Sequence, residues 1–112
     1  MLILLNAAGT QIKRFLTVNN VECKSGNRFL TGTFRIKDIA IKNDDTFDGA
    51  TGNQSPVQGT DRKRTIVLTA KGAFGKRTVA GKWRIREIET DPYSVTDDCD
   101  SGPLDFFAAR VR

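Results

Sequence analysis

The chain contains no histidine. Without it, Ser-His-Asp and Cys-His catalysis lose their base, and a metal site loses its commonest nitrogen ligand. Cysteine is nearly as scarce: Cys23 and Cys99 stand alone, far apart and with no CxxC spacing. A zinc site needs three or four nitrogen or sulfur ligands, which this sequence does not supply. Long apolar runs are missing too. The longest aliphatic stretch, Met1-Leu2-Ile3-Leu4-Leu5, is much shorter than the roughly 18 residues of a membrane-crossing helix. It also lacks the basic lead-in of a signal peptide, and it reads as a buried strand. Helical periodicity is almost absent, because glycine and dense β-branched runs interrupt every candidate stretch. The Gly-x-Gly-x-x-Gly, P-loop, Gly-x-Ser-x-Gly and His-Glu-x-x-His patterns do not occur. Nucleotide-binding, hydrolase-elbow and zincin chemistry therefore have no support.

What remains is a chain of short β-type runs separated by turn residues. Its 112 residues make one domain, spanning 1–112, with one modest core. Leu2 to Asn6 reads as a first strand and Ile12 to Val18 as a second, followed by loops at Asn19-Asn20 and Lys24-Ser25-Gly26-Asn27. Phe29 to Ile41 is a third strand. Its apolar phase slips by one near Lys37-Asp38, which predicts a β-bulge. Asn43-Asp44-Asp45 is a turn, Thr46 to Gly49 a short strand, and Gly52 to Asp61 an exposed polar loop. Arg64 to Lys71 places Ile66, Leu68 and Ala70 on one face. Thr78 to Ile85 alternates best: Val79, Gly81, Trp83 and Ile85 face one way, and Ala80, Lys82, Arg84 and Arg86 the other. A long acidic loop holding Cys99 precedes a closing strand from Leu104 to Val111. The expected fold is all-β, a single antiparallel β-sandwich of about eight strands. Its expected core holds Leu4, Phe15, Phe34, Ile36, Ile39, Ile41, Phe47, Ile66, Leu68, Phe74, Trp83, Ile85 and Phe106, with Phe107 on an ambiguous strand.

Two cysteines permit a single bridge, the alternative being two unrelated buried thiols. A bridge would close a long loop, which the chain-entropy model values at about 4–5 kcal/mol, and it implies an oxidising compartment. An immunoglobulin domain would place its core Trp soon after the first cysteine. Trp83 instead lies far downstream of Cys23 and nearer Cys99, which argues against that fold though not against its sandwich architecture.

The order of elements resembles a known pattern. Ile39-Ala40-Ile41 leads through Asn43-Asp44-Asp45 to Phe47-Asp48-Gly49. Thr65 to Phe74, with Gly72 and Phe74, comes next. Thr78 to Ile85, Cys99, Gly102 and Phe106-Phe107-Ala108-Ala109-Arg110 complete it. This order resembles small secreted β-sandwich domains of unknown function from bacteria, notably actinobacteria, that carry two cysteines. The likeness covers residues 9–112. It implies a secreted or otherwise extracytoplasmic location and brings no catalytic residues with it. The region ahead of Ala7 is short for that pattern, which points to a missing N-terminal strand or removed signal peptide. The 87–105 stretch is longer and more acidic than the pattern implies.

Charge gives the candidate sites. The net charge is +5, yet Glu87, Glu89, Asp91, Asp97, Asp98, Asp100 and Asp105 follow one another without an intervening Lys or Arg. The molecule should be strongly dipolar unless the fold interleaves the signs. Lys82, Arg84 and Arg86 project from one side of a strand, with Arg62, Lys63 and Arg64 at the start of another. Such rows bind polyanions, nucleic acid or glycan, or else form a solvated face whose long side chains cover the sheet. Trp83 alternates with these cations and should point inward. Asp91, Asp97, Asp98 and Asp100 offer oxygen ligands for calcium, without EF-hand spacing. Asp38, beside the expected bulge, is the one carboxylate with a positional argument for glycosidase chemistry, and nothing selects its partner. Tyr93 and Phe29 are candidates for stacking on a sugar. The sequence favours a non-enzymatic binding or surface-structural module with no cofactor, and polyanion binding is the alternative.

Overall fold

In the computed structural model, which describes residues 1–109, the alternating runs become eight strands. These are β1 (Leu2–Leu5), β2 (Gln11–Glu22), β3 (Phe29–Ala40), β4 (Thr46–Pro56), β5 (Lys63–Phe74), β6 (Thr78–Thr90), β7 (Val95–Asp100) and β8 (Leu104–Ala109). Every pairing is antiparallel, and no helix occurs among the described residues. One sheet has the order β1-β2-β3. The other has the order β4-β5-β6, and two short strands share the far edge of β6. There β8 pairs with Thr78–Trp83, and β7 with the stretch from Arg86 to Thr90. The chain switches between them through Ser101-Gly102-Pro103, where Gly102 takes a φ of 64° that favours glycine.

The sheets face each other across a core that follows the period-2 rule. Ile12, Phe15, Ile36 and Ile39 point inward from one sheet, and Phe47, Leu68, Ala70, Val79, Ile85 and Phe106 from the other. Phe106 meets Phe15 edge-on at 5.5 Å between centroids and stacks against Phe47 at 6.4 Å. These rings lie over adjacent glycines of β5 and β6. A Cβ on Gly81 would stand 2.1 Å from the Lys71 carbonyl oxygen and 2.8 Å from Phe106 Cζ. Gly81 thus shares the inward face by leaving room for a ring. The disulfide Cys23–Cys99 spans 76 positions and ties the end of β2 to β7. A backbone bond from Lys24 N–H to the Asp98 carbonyl reinforces that join.

The all-β, two-sheet, disulfide-linked expectation therefore holds, and several local expectations are corrected. Leu4 is not core: β1 is an edge strand with Ile3 and Leu5 inward and Leu2 and Leu4 exposed. Asn19-Asn20 is not a loop. The long strand β2 runs through it, and Asn19 points inward, donating to Thr17 and to the Gly32 carbonyl. Residues 52–56 belong to β4, an edge strand that tolerates Pro56 at its end. The phase slip near Lys37-Asp38 is real, and Asp38 sits at φ 58°. It adds no residue relative to β2, because Ile12 pairs with Ile39 and Phe15 with Ile36 in one continuous register. Both strands slip together. The extra residue is Lys13, which bulges against β1 between the Leu4–Arg14 and Leu5–Ile12 pairs. Most of the 87–105 stretch is strand, and its only loops are the 91–94 turn and the 101–103 crossover. Ile12, Leu30 and Val79 join the core beyond the residues expected. The expected end of the last strand, Arg110-Val111, lies outside the described residues.

Candidate functional site

Past Ile85 the inward face of β6 continues with two acids, Glu87 and Glu89, which are 4% and 5% exposed. Strand β7 places Cys99 opposite Glu87, and Asp97 opposite Glu89. Three carboxylates are thereby buried at the disulfide end of the inter-sheet space. Buried charge persists only when paired, and three arginines pair it. Arg28, in the turn between β2 and β3, donates from Nη1 to Glu87 at 2.5 Å and from Nε to Asp97 at 3.1 Å. Its Nη2 lies 3.1 Å from Cys99 Sγ. Arg64 Nε and Arg62 Nη1 reach Glu89 at 2.9 and 3.3 Å. Ser25 donates its N–H and its hydroxyl to Asp97, and Thr96 donates its hydroxyl to Glu89.

This network favours the charged form of two of its acids, Glu89 and Asp97. The Arg64 hydrogen bond holds the Glu89 carboxyl below the usual range despite its burial. Burial pushes Asp97 up, but donors from Ser25, Asp98 and Arg28 outweigh it, so this carboxyl also lies low. A general acid at neutral pH needs the opposite shift. The disulfide beside the acids is buried at both sulfurs' residues, which suits a clamp rather than an exchange centre. Cys23, Asp97 and Cys99 gather potential ligand atoms within 4.8 Å. With both sulfurs in the bridge, neither is a thiolate able to bind metal.

The outward face of the larger sheet carries the cations expected on β6, and it carries their counter-charges too. Arg84 forms a forked pair with Asp100. Arg86 pairs in the same way with Asp98 at 3.1 and 2.8 Å. Lys82 Nζ lies 3.5 Å from Asp105. The fold interleaves the two signs here, because the acidic stretch folds back as strands alongside the basic one. The Arg84 pair holds the Asp100 carboxyl down at about 2, and the Arg86 pair lowers Asp98. Among the expected cations, Arg62 and Arg64 turn to Glu89 and away from this row, and Lys63 has no ion pair among the described residues.

The four proposed calcium ligands do not converge. Asp97 points inward to Arg28, while Asp98 and Asp100 point outward to arginines. Asp91 accepts the N–H groups of Tyr93 and Ser94 in the turn. Tyr93 is 94% exposed in that turn and Phe29 is 52% exposed at the start of β3. No ring contact joins them. Asp38 is exposed on β3 and Trp83 is partly buried against the core.

Two features were missed. Arg28 lies in a loop with no pattern around it, and only its closeness to Cys23 hinted at a role. The second is on the smaller sheet. Its outward face carries Arg14, Arg35 and Lys37, all exposed, and no ion pair or side-chain hydrogen bond among the described residues reaches them. The alternation of Phe34, Arg35, Ile36 and Lys37 already encoded that placement. Comparison with protein-family models, with curated proteins and with solved structures returned no match.

Proposed function

We propose that this chain is a non-enzymatic, extracytoplasmic module of a kind bacteria secrete, which binds a partner or builds a surface structure. The observation that carries this reading is the arrangement at the disulfide end. The groups capable of chemistry there, three buried acids and two cysteines, are held in ion pairs and a covalent clamp. What remains available is surface on a rigid frame. The test is thiol trapping in the producing cell, combined with fractionation. Both cysteines should resist a maleimide reagent until the protein is denatured and reduced, and the protein should be found outside the cytoplasm. Thiols that alkylate freely in untreated native protein, or a cytoplasmic pool, would overturn the location.

A second reading, polyanion binding through the basic face of β6, has one supporting observation. Lys71 stands directly opposite Lys82 in the β5–β6 register, and Lys63 on β5 has no ion pair among the described residues. Like charges opposite one another favour an added anion. The aspartates beside Arg84 and Arg86 work against it. Retention on a heparin column that is lost in Lys71→Gln/Lys82→Gln supports this reading. Flow-through at low salt removes it.

A further inference from the structure

The outward face of the smaller sheet is built unlike the rest of the surface. Register places Leu2, Leu16 and Arg35 in one row across β1, β2 and β3, and Leu4, Arg14 and Lys37 in the next. Val18 follows on β2, 75% exposed, while Leu2 and Leu4 are 49% and 41% exposed. Strands lie about 4.8 Å apart and same-face residues about 7 Å apart, so these side chains form one compact patch. Arg14 stands directly opposite Lys37, an unfavourable like-charge pair. Lys13, the bulge residue, adds an exposed cation beside Arg14 in the chain.

From this face we infer a docking surface for an anionic lipid bilayer, an inference that rests on reading the chain as a binding or surface module. Two observations select that partner. Unneutralised cations at adjacent positions call for a partner of negative charge. The side chains between them are aliphatic, whereas single-stranded nucleic acids are held by aromatic rings that stack on bases. Leucine and valine gain nothing from a base face. They do gain from entering the boundary between lipid headgroups and acyl chains, with arginine and lysine at the phosphate level. A pleated sheet face is broad enough to lie on such a plane.

The test is co-sedimentation of the disulfide-intact protein with vesicles of phosphatidylcholine alone, or of an equal mixture with phosphatidylglycerol. Binding should require the anionic lipid and weaken as salt rises. Arg14→Gln/Lys37→Gln should lower the partition coefficient by about 25-fold, roughly fivefold per cation. Lys76→Gln/Arg77→Gln, which removes the same charge from the β5–β6 turn, should leave it nearly unchanged. Val18→Ser should weaken binding with no change in melting temperature, since that side chain touches solvent. Equal binding to neutral vesicles, or equal loss in both double variants, would overturn the inference. So would heparin or single-stranded DNA binding that depends on Arg14 and Lys37 without any vesicle binding. A folded, oxidised protein that ignores anionic vesicles sinks the lipid surface and leaves the module reading intact. That reading fails separately, through the thiol-trapping result.

Discussion

The space between the two sheets has two ends made in opposite ways. At one end Phe15, Phe47, Phe106, Ile12 and Ile39 fill it with apolar volume. At the other, Glu87, Glu89 and Asp97 lie beside Arg28, Arg62 and Arg64, with the disulfide among them. Apolar packing is non-directional and tolerates imperfect partners, whereas a buried ion pair is costly to desolvate and demands its own geometry. The apolar end therefore supplies net stability, and the ionic end fixes which loop meets which strand. Arg28 does this by holding the β2–β3 turn against both β6 and β7.

The largest test of that division is the covalent clamp. Replacing both cysteines, Cys23→Ser/Cys99→Ser, should lower the unfolding free energy by about 4–5 kcal/mol through loop-closure entropy. Urea denaturation of the two proteins measures it. A loss below about 1 kcal/mol would mean that the ionic network alone holds this end together.

The two ends can then be set against each other. Phe15→Ala should cost about 3–5 kcal/mol from lost burial and the cavity left behind. Arg28→Ala should cost a similar 3–5 kcal/mol for another reason, since it strands two buried carboxylates. A rescue separates the mechanisms. Adding Glu87→Gln and Asp97→Asn to Arg28→Ala should recover part of the loss, and no change of charge should repair Phe15→Ala. If the rescue fails, Arg28 acts through packing, and the two ends are more alike than their composition suggests.

How much of this was written in the sequence follows from the same contrast. The apolar end was legible, because Ile66, Leu68, Val79 and Ile85 advertise an inward face by alternation alone. The ionic end was not. Glu87 and Glu89 continue the inward phase of Ile85, yet a polar residue in phase looks the same as a loop until its partners are known. Those partners are distant in sequence: Arg28 lies before β3 and Arg64 opens β5. The acidic run therefore looked like a loop and a source of dipole, when it is a strand paired to its own counter-charges. Leu4 failed in a different way. Period 2 gives two faces but does not say which is covered, and an edge strand of four residues offers little with which to choose.

Acid should reach one end before the other. Glu89, Asp97, Asp98 and Asp100 all have carboxyls lowered in the folded state, Asp100 to about 2. A depressed acid contributes stability that is fully present above its unfolded value of about 4 and is lost as pH falls through the folded value. The melting temperature should hold steady from pH 7 to about 5 and fall between about 4 and 2. Phe15→Ala should run parallel to the parent across that window. Arg28→Ala should converge on it, because protonation neutralises the stranded Asp97 in both. Parallel curves for both variants would show that the carboxylates are not what Arg28 serves.

The smallest expected effect lies outside, where the same residue types meet in water. Arg86 grips Asp98 with two hydrogen bonds, much as Arg28 grips its acids, but the Arg86 side chain is 42% exposed against 24% for Arg28. Solvent screens the outer pair, and holding two long side chains costs entropy, so exposed pairs contribute about 0–1 kcal/mol. A double-mutant cycle of Arg86→Ala and Asp98→Ala should give only a small coupling, and one that diminishes in high salt. The matching cycle of Arg28→Ala and Asp97→Ala should exceed it and resist salt. If the outer coupling equals the inner one, burial is not what separates the two sets of charges. The outward face of β6 would then be a fixed ionic lattice rather than a solvated surface, and its cations would be still less available to an external anion.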